Sequence, residues 1–398
     1  MGIAPKLLDV IAKLDYKIPT PIQHKAIPVA IEGNDLMGIA QTGTGKTLAF
    51  GIPMIQRILQ ANTGVGLVVL PTRELAYQVN ETLQKLGHAF ALRTSVLIGG
   101  APMGYQIKTL NHKPHIIVGT PGRIIDHIQQ RTLSLHNVSI LVLDEADHMF
   151  DMGFAPQIAK ILAVIPKTRQ TMLFSATMPD GIVKIATSHM RSPVRIEMAR
   201  SGTTAEKVEH ELFVVKKEQK NRLLSKILLE TKGSVLIFVR LKYNAKRICA
   251  LIAALGIKAA EIHSNRSLNQ RREALDGFKI GRYRVLVATD IAARGIDVKG
   301  IELVVNYDLP ENPEDYVHRI GRTGRAGLTG KAISFVLPDQ GDKIRGIEKL
   351  VRIYLPISKL PELPPETRVP YIPSDRPTNR SNYPRRRPFE KTHGRRNY

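Results

Sequence analysis

Short apolar runs alternate along this chain with longer stretches in which apolar residues recur at helical spacing. In the first half the runs are 36–39, 67–70, 95–98, 116–118, 140–143 and 171–174. In the second half they are 212–215, 235–239, 259–262, 284–287, 303–306 and 332–336. Runs this short and this apolar read as strands buried on both faces. The residues between them mostly have helical length, which predicts βαβ units and mainly parallel sheets. The pattern runs twice. It predicts an α/β fold of two tandem domains, 1–200 and 207–356, joined by a polar hinge at 199–207 that contains Ser201-Gly202-Thr203-Thr204.

The pattern stops after 356. Residues 357–398 hold eight prolines and ten basic against four acidic side chains. Such a segment buries too little apolar surface to fold and is predicted to be a disordered, basic tail. Tyr371, Tyr383, Phe389 and Tyr398 lie among its arginines, a composition able to stack on unpaired bases while its charge follows phosphates. The whole chain of 398 residues carries a formal charge of +23, which points to a polyanionic partner, nucleic acid above all. No run approaches the roughly 18 apolar residues of a membrane span, and the N-terminus lacks a secretory or myristoylation pattern. A single cysteine, Cys249, rules out an internal disulfide and fits a reducing cytoplasm. Its helix-like setting reads as a small core residue.

Two places carry chemistry. Ala40-Gln41-Thr42-Gly43-Thr44-Gly45-Lys46-Thr47 follows the run 36–39 and precedes a helical stretch. Gly43 and Gly45 permit a tight turn with N–H groups aimed at phosphate oxygens, and the helix start adds its positive end. Lys46 suits the β/γ-phosphates and the Thr47 hydroxyl suits Mg²⁺. The second place is Asp144-Glu145-Ala146-Asp147, at the carboxyl end of the run 140–143, where open α/β sheets bind ligands. Asp144 there suits Mg²⁺, and Glu145 the attacking water. An acidic helix start is the bland reading of the tetrad; the phosphate loop beside it in the same domain favours nucleotide hydrolysis.

With these motifs the chain resembles the DEAD-box RNA helicases, and most nearly the small bacterial RhlE-like members. The resemblance spans residues 1 to about 355. It also rests on Pro19-Thr20-Pro21-Ile22-Gln23, Pro71-Thr72-Arg73-Glu74-Leu75, Gly99-Gly100, Thr120-Pro121-Gly122-Arg123 and Ser175-Ala176-Thr177. It continues through the segment from Ala288-Thr289-Asp290 to Arg294-Gly295-Ile296-Asp297 and His318-Arg319-Ile320-Gly321-Arg322-Thr323-Gly324-Arg325.

The resemblance implies two RecA-like domains, ATP with Mg²⁺ as fuel, and structured RNA as substrate. It implies that Gln23 reads adenine, that Asp297 joins the nucleotide site, and that Arg322 and Arg325 are arginine fingers from the second domain. It assigns Ser175, Thr177 and His318 to coupling between domains. Arg73, Gly100, Thr120, Gly122, Arg123, Arg240, Arg271, Thr289 and Gly295 become RNA contacts. These contacts follow the sugar–phosphate path, so little sequence preference is expected. A cytoplasmic monomer working with ribonucleoprotein or RNA-decay partners completes the expectation.

Five departures stand out. Ala40 replaces the first glycine of the phosphate loop. Asp15 replaces a glycine before Tyr16, and the aromatic that stacks on adenine would fall before Met1, a loss on the order of 1 kcal/mol in nucleotide affinity. In the segment 263–271, Leu268 replaces a glutamine and Ser264 a glycine, so a contact to RNA or to the opposite domain is expected to be missing there. Two rival readings remain: a DNA helicase or translocase on the same fold, and a non-catalytic RNA-annealing scaffold using the tail.

Overall fold

The structure is a computed structural model; it describes residues 1–41, 43–61, 64–198, 208–293, 298, 300–324 and 330–367. The hinge 199–207, Thr42, Gly295, Asp297, Arg325 and the chain beyond 367 lie outside the described residues.

Every predicted run forms a strand. In chain order these are β1 (Leu36–Ile39), β2 (Val65–Val69), β3 (Thr94–Leu97), β4 (Ile116–Gly119), β5 (Val138–Leu143), β6 (Gln170–Ser175) and β7 (Val194–Glu197). The second set is β8 (Val208–Val214), β9 (Val235–Phe238), β10 (Ala259–Ile262), β11 (Val285–Ala288), β12 (Leu303–Asn306), β13 (Gly330–Val336) and β14 (Ile357–Ser358). They make two sheets, ordered β3-β4-β2-β5-β6-β1-β7 and β10-β11-β9-β12-β13-β8-β14, and the named pairs are parallel. The two orders are the same once each set is counted from its own first strand. One topology is therefore used twice.

Successive side chains of a strand point to opposite faces, and the packing follows that rule. Val68, Val118, Ile140, Val142, Met172 and Phe174 face the helices Pro21–Ile31, Lys46–Ala61 and Arg73–Gly87. Leu67, Val69, Ile117, Leu141, Leu143 and Leu173 face Pro121–Gln129, Ala155–Val164 and Asp180–His189. Sheets covered on both faces explain why the strands read as continuous apolar runs. The second domain divides likewise: Val235, Ile237, Val285 and Val287 against Leu236, Phe238 and Leu286.

Two strands escaped the pattern, and they occupy the same edge of the two sheets. β7 exposes three of its four residues, and β14 has only two. Burial on both faces writes a strand into the sequence; an edge strand lacks that signal. β14 also corrects the predicted tail. Residues 357–367 are held on the second domain: Ile357 and Ser358 pair with Leu212 and Phe213 of β8, and Leu360 and Leu363 pack on its core. Arg222 Nε and Nη2 donate to the carbonyls of Pro364 (2.6 Å) and Leu363 (3.0 Å). Cys249 packs against the same core, and burial pushes its thiol well up, as a small core residue requires.

Candidate active site and RNA path

All the chemistry sits beyond the carboxyl ends of the strands. In the first sheet two groups separate along the strand order. The ends of β3, β4 and β2, successive neighbours, carry Gly100, Thr120 and Arg73. The ends of β5, β6 and β1, also successive neighbours, carry Asp144, Ser175 and the phosphate loop.

The loop has the left-handed backbone the chemistry needs: Gly43 has φ +82° and Gly45 φ +88°. A Cβ on Gly45 would collide with Gln23 Nε2. Gln23 is a brace as well as a candidate adenine reader. Its Oε1 accepts from Thr20 N–H (3.0 Å) and its Nε2 donates to Gly45 O (3.0 Å). An amide has two donors and two acceptor positions, so one of each remains. Ala40, in place of glycine, is buried and its N–H donates to Ser175 O at 2.9 Å, tying the loop to β6. Thr44 Oγ1 donates to Gln41 O at 2.8 Å. Asp15, also in place of glycine, adopts φ +62°, a left-handed conformation that aspartate tolerates better than most residues.

Lys46 heads the helix Lys46–Ala61. Its Nζ is buried, makes no hydrogen bond and lies 3.7 Å from Asp144 Oδ1. A buried ammonium without a hydrogen bond is costly, and this one fits a triphosphate. Burial pushes the Asp144 carboxyl up to about 6; Lys46 opposes this, and the Glu145 carboxylate adds to it. That donor set fits a hard cation. Among the described residues no cluster of three or more protein ligands would cage a metal, and Mg²⁺ held by one carboxylate and phosphate oxygens needs none.

Glu145 has φ +51°, a strained conformation for a residue with a side chain. Burial alone would raise its pKa. The hydrogen bond from His148 and the charges of His148, Lys46 and Arg322 hold it down at about 2 instead. It is a buried carboxylate, ionised at neutral pH. Arg322 is thereby placed where its charge acts on Glu145, and its Nε donates to His318 O at 3.3 Å.

Ser175 and Thr177 converge on Asp147, whose role the sequence reading missed. Asp147 N–H donates to Ser175 Oγ (3.2 Å), and Asp147 Oδ2 accepts from Ala176 N, Thr177 N (both 2.9 Å) and Thr177 Oγ1 (3.2 Å). The two hydroxyls do not cap the helix Asp180–His189 that follows them. His318 bonds across the domain boundary, Nδ1 to His148 Nε2 at 2.9 Å.

The first-domain RNA candidates gather. Gly99 and Gly100 (φ +81°) lie against the Arg73 guanidinium, which a Cβ on Gly100 would strike. Arg123 Nη1 donates to Ala101 O at 3.1 Å, tying that loop to the start of Pro121–Gln129. Thr120 precedes this helix, and Gly122 faces open space. In the second domain Arg240 and Thr289 follow the neighbouring strands β9 and β11. Arg240 is exposed and pairs with Glu311 at 3.0 Å.

Arg271 stands apart from this group. Its Nη2 donates to Glu74 Oε2 at 2.7 Å in a buried pair between the domains. Beside it the Arg272 guanidinium lies 4.8 Å from the Tyr77 ring centre. The structure thus assigns Arg271 a protein partner where the resemblance implied RNA. Leu268 makes good the contact expected to be missing, packing on the first domain's core. Arg319 is a structural buttress, its Nε and Nη2 paired with Asp290 at 2.5 and 2.8 Å.

This fold and site define a nucleotide hydrolase built of two like α/β domains. Residues 20–185 match the model of the DEAD/DEAH box helicases, and 219–327 that of the helicase conserved C-terminal domain. An ATP-dependent RNA helicase, CshA, of Listeria monocytogenes is 45% identical over 88% of this chain and 68% of its own. An ATP-dependent rRNA helicase, RRP3, of Debaryomyces hansenii is 42% identical over 89% of this chain and 75% of its own. Among solved structures, S. cerevisiae Dbp5 bound to RNA and ADP BeF3 superposes with a TM-score of 0.78 at 31% identity, covering 90% of this chain and 94% of that one. The chain belongs to the DEAD/DEAH box helicase family and is an ATP-dependent RNA helicase.

Proposed function

We propose that this helicase hydrolyses ATP only while its two domains are docked, and that RNA laid across both is what docks them. The observation that carries this reading is the buried Lys46 ammonium without a hydrogen bond, set beside Asp144 and a Glu145 that is linked to the second domain. Lys46 and the loop amides hold the β- and γ-phosphates, and the remaining donor and acceptor of Gln23 meet adenine. Asp144 and Thr47 would hold Mg²⁺, which when bound neutralises phosphate charge. Glu145 takes the proton of the attacking water. Arg322, with Arg325, supplies positive charge from the other domain, a contribution of roughly 10³–10⁵ in rate for such fingers.

The RNA path runs over Arg73, Gly100, Thr120, Gly122 and Arg123, then over Arg240, Thr289 and Gly295. These groups meet sugar and phosphate, so discrimination among sequences is weak. Short duplexes separate because the bound strand bends and its complement cannot follow. The enzyme acts as a cytoplasmic monomer within ribonucleoprotein or RNA-decay assemblies.

The test is ATP turnover with and without a single-stranded RNA oligonucleotide, for the wild type and Glu145→Gln. RNA should raise turnover many-fold, and Glu145→Gln should bind ATP and RNA yet lose about 10²–10⁴ in rate. Turnover indifferent to RNA contradicts the docking model. Matched RNA and DNA duplexes in competition separate an RNA from a DNA helicase.

A further inference from the structure

His148 follows the acidic tetrad and belongs to no motif that the chemistry used. It is 1% exposed, on the short helix Ala146–Asp151. Both of its ring nitrogens are engaged. Nδ1 lies 3.0 Å from Glu145 Oε2, and Nε2 lies 2.9 Å from His318 Nδ1. The two imidazoles meet edge to face, at 90° with centres 4.4 Å apart. The carboxylate oxygen of Glu145 is the acceptor of this pair, and His148 Nδ1–H the donor. Between the rings one hydrogen is shared, and whichever ring carries it donates it. A continuous chain thus runs from Glu145 through His148 to the other domain.

The geometry of that chain has a consequence. A carboxylate on a strained backbone position needs something to fix its rotamer, and Glu145 Oε2 is fixed by one imidazole. That imidazole is in turn oriented from its far side by His318, which reaches it only when the domains are docked. Orientation of a general base through a second group is a common way to set up such catalysis. We propose that His148 is a positioning residue: it aims the Glu145 carboxylate at the water, and it does so fully only while His318 is docked against it. Closure is thereby read by the base itself, in addition to being read by the arginines delivered with it. This inference rests on Glu145 being the base.

The experiment is a double-mutant cycle on the full chain. Turnover at saturating RNA oligonucleotide and the KM for ATP are measured for His148→Ala, His318→Ala and the pair, with His148→Gln as the conservative variant. The expected result is a fall of about tenfold or more in RNA-stimulated kcat for each single variant, with KM for ATP within about twofold. The pair should be no worse than about twofold below the poorer single variant, since residues acting in one chain are not additive. His148→Gln, whose amide can donate to Glu145 and still meet His318, should recover much of the loss. On a Glu145→Gln background His148→Ala should cost nothing further.

Multiplicative losses in the pair, or a rise in KM with kcat unchanged, overturn the proposal. So does normal turnover of a His148→Ala protein that melts as the wild type does. Should His148→Ala fail to fold, His148→Phe, which fills the space but cannot hydrogen-bond, carries the same cycle with His318→Ala. If Glu145→Gln itself turns over normally, the base assignment has failed; if it is inactive while His148→Ala is normal, this inference alone has failed.

Discussion

Lys46 and Lys220 stand at equivalent places in the two sheets, each at the start of the helix after the first strand of its set, and each opposes an aspartate after the fifth strand. In the first domain the pair is Lys46 and Asp144, 3.7 Å apart, and the ammonium has no hydrogen bond. In the second it is Lys220 and Asp308, 3.0 Å apart, and the ammonium also donates to Tyr307 O at 2.7 Å. One lysine is left wanting and the other is satisfied. The loops explain it. Between β1 and Lys46 runs a glycine loop with two left-handed residues, which curls back to make a cradle. Between β8 and Lys220 there is only Val215-Lys216-Lys217-Glu218-Gln219, with no glycine to turn it. One topology therefore yields a glycine-lined cradle with an unsatisfied ammonium in one copy and a structural ion pair in the other. Function lies in the loops grafted on the fold, as expected for a widely used architecture.

The sharpest way to break this comparison is to truncate both lysines. Lys46→Ala should lower RNA-stimulated turnover by about 10²–10³, the usual cost of losing one charge-stabilising donor, with little change in melting temperature. Lys220→Ala should do the reverse, costing about 3 kcal/mol of stability in denaturant unfolding because Asp308 loses its counter-ion and keeps only the Arg240 N–H. Equal loss of turnover in both variants would erase the distinction drawn between the pairs.

The edge strands offer a second contrast. Ending the chain after 356 removes β14 with Leu360 and Leu363, and should destabilise the second domain by about 2–4 kcal/mol. Ending it after 367 should leave melting unchanged and only weaken RNA binding and its salt dependence. If both truncations melt alike, residues 357–367 contribute nothing to the fold.

A third effect lies between the domains. Burial, reinforced by the charges of His148 and Arg322 and resisted by Asp147 and Asp315, holds His318 down at about 4. An imidazole released to water takes its proton near 6.5. Between those values the open form binds more protons than the docked one, so docking strengthens as pH rises and weakens toward acid. RNA affinity measured with a non-hydrolysable ATP analogue should fall as pH drops below about 6.5, and His318→Gln should flatten that dependence. The smallest effect concerns two arginines. Arg73→Ala, which removes the side chain seated over Gly100, should weaken RNA binding uniformly across sequences and lower the salt slope by about one. Arg240→Ala should do less, because Arg240 is already paired with Glu311 on an exposed surface.

Much of this was legible along the chain. The twelve buried runs are strands because both faces are covered, so the burial is written into consecutive residues. The phosphate loop and the acidic tetrad are local motifs whose geometry follows from glycine and from a strand end. His148 was half legible: three residues after Glu145, it lies on the same side of a helical turn. Its second partner is 170 residues away and leaves no local trace. The same holds for Arg271. The resemblance assigned it to RNA, and only packing of Arg73–Gly87 against Leu268–Lys279 sets Glu74 against it.

By itself, then, the order of residues determined the repeated α/β layout, the site's ingredients and the polyanionic character of the partner, because periodicity, turn chemistry and charge act over a few residues at a time. Which lysine is satisfied, which arginine meets protein, and how Glu145 is linked through His148 to the other domain were decided only in three dimensions. Those outcomes depend on distances between segments far apart in the chain, and the chain has no way to express a distance until it has folded.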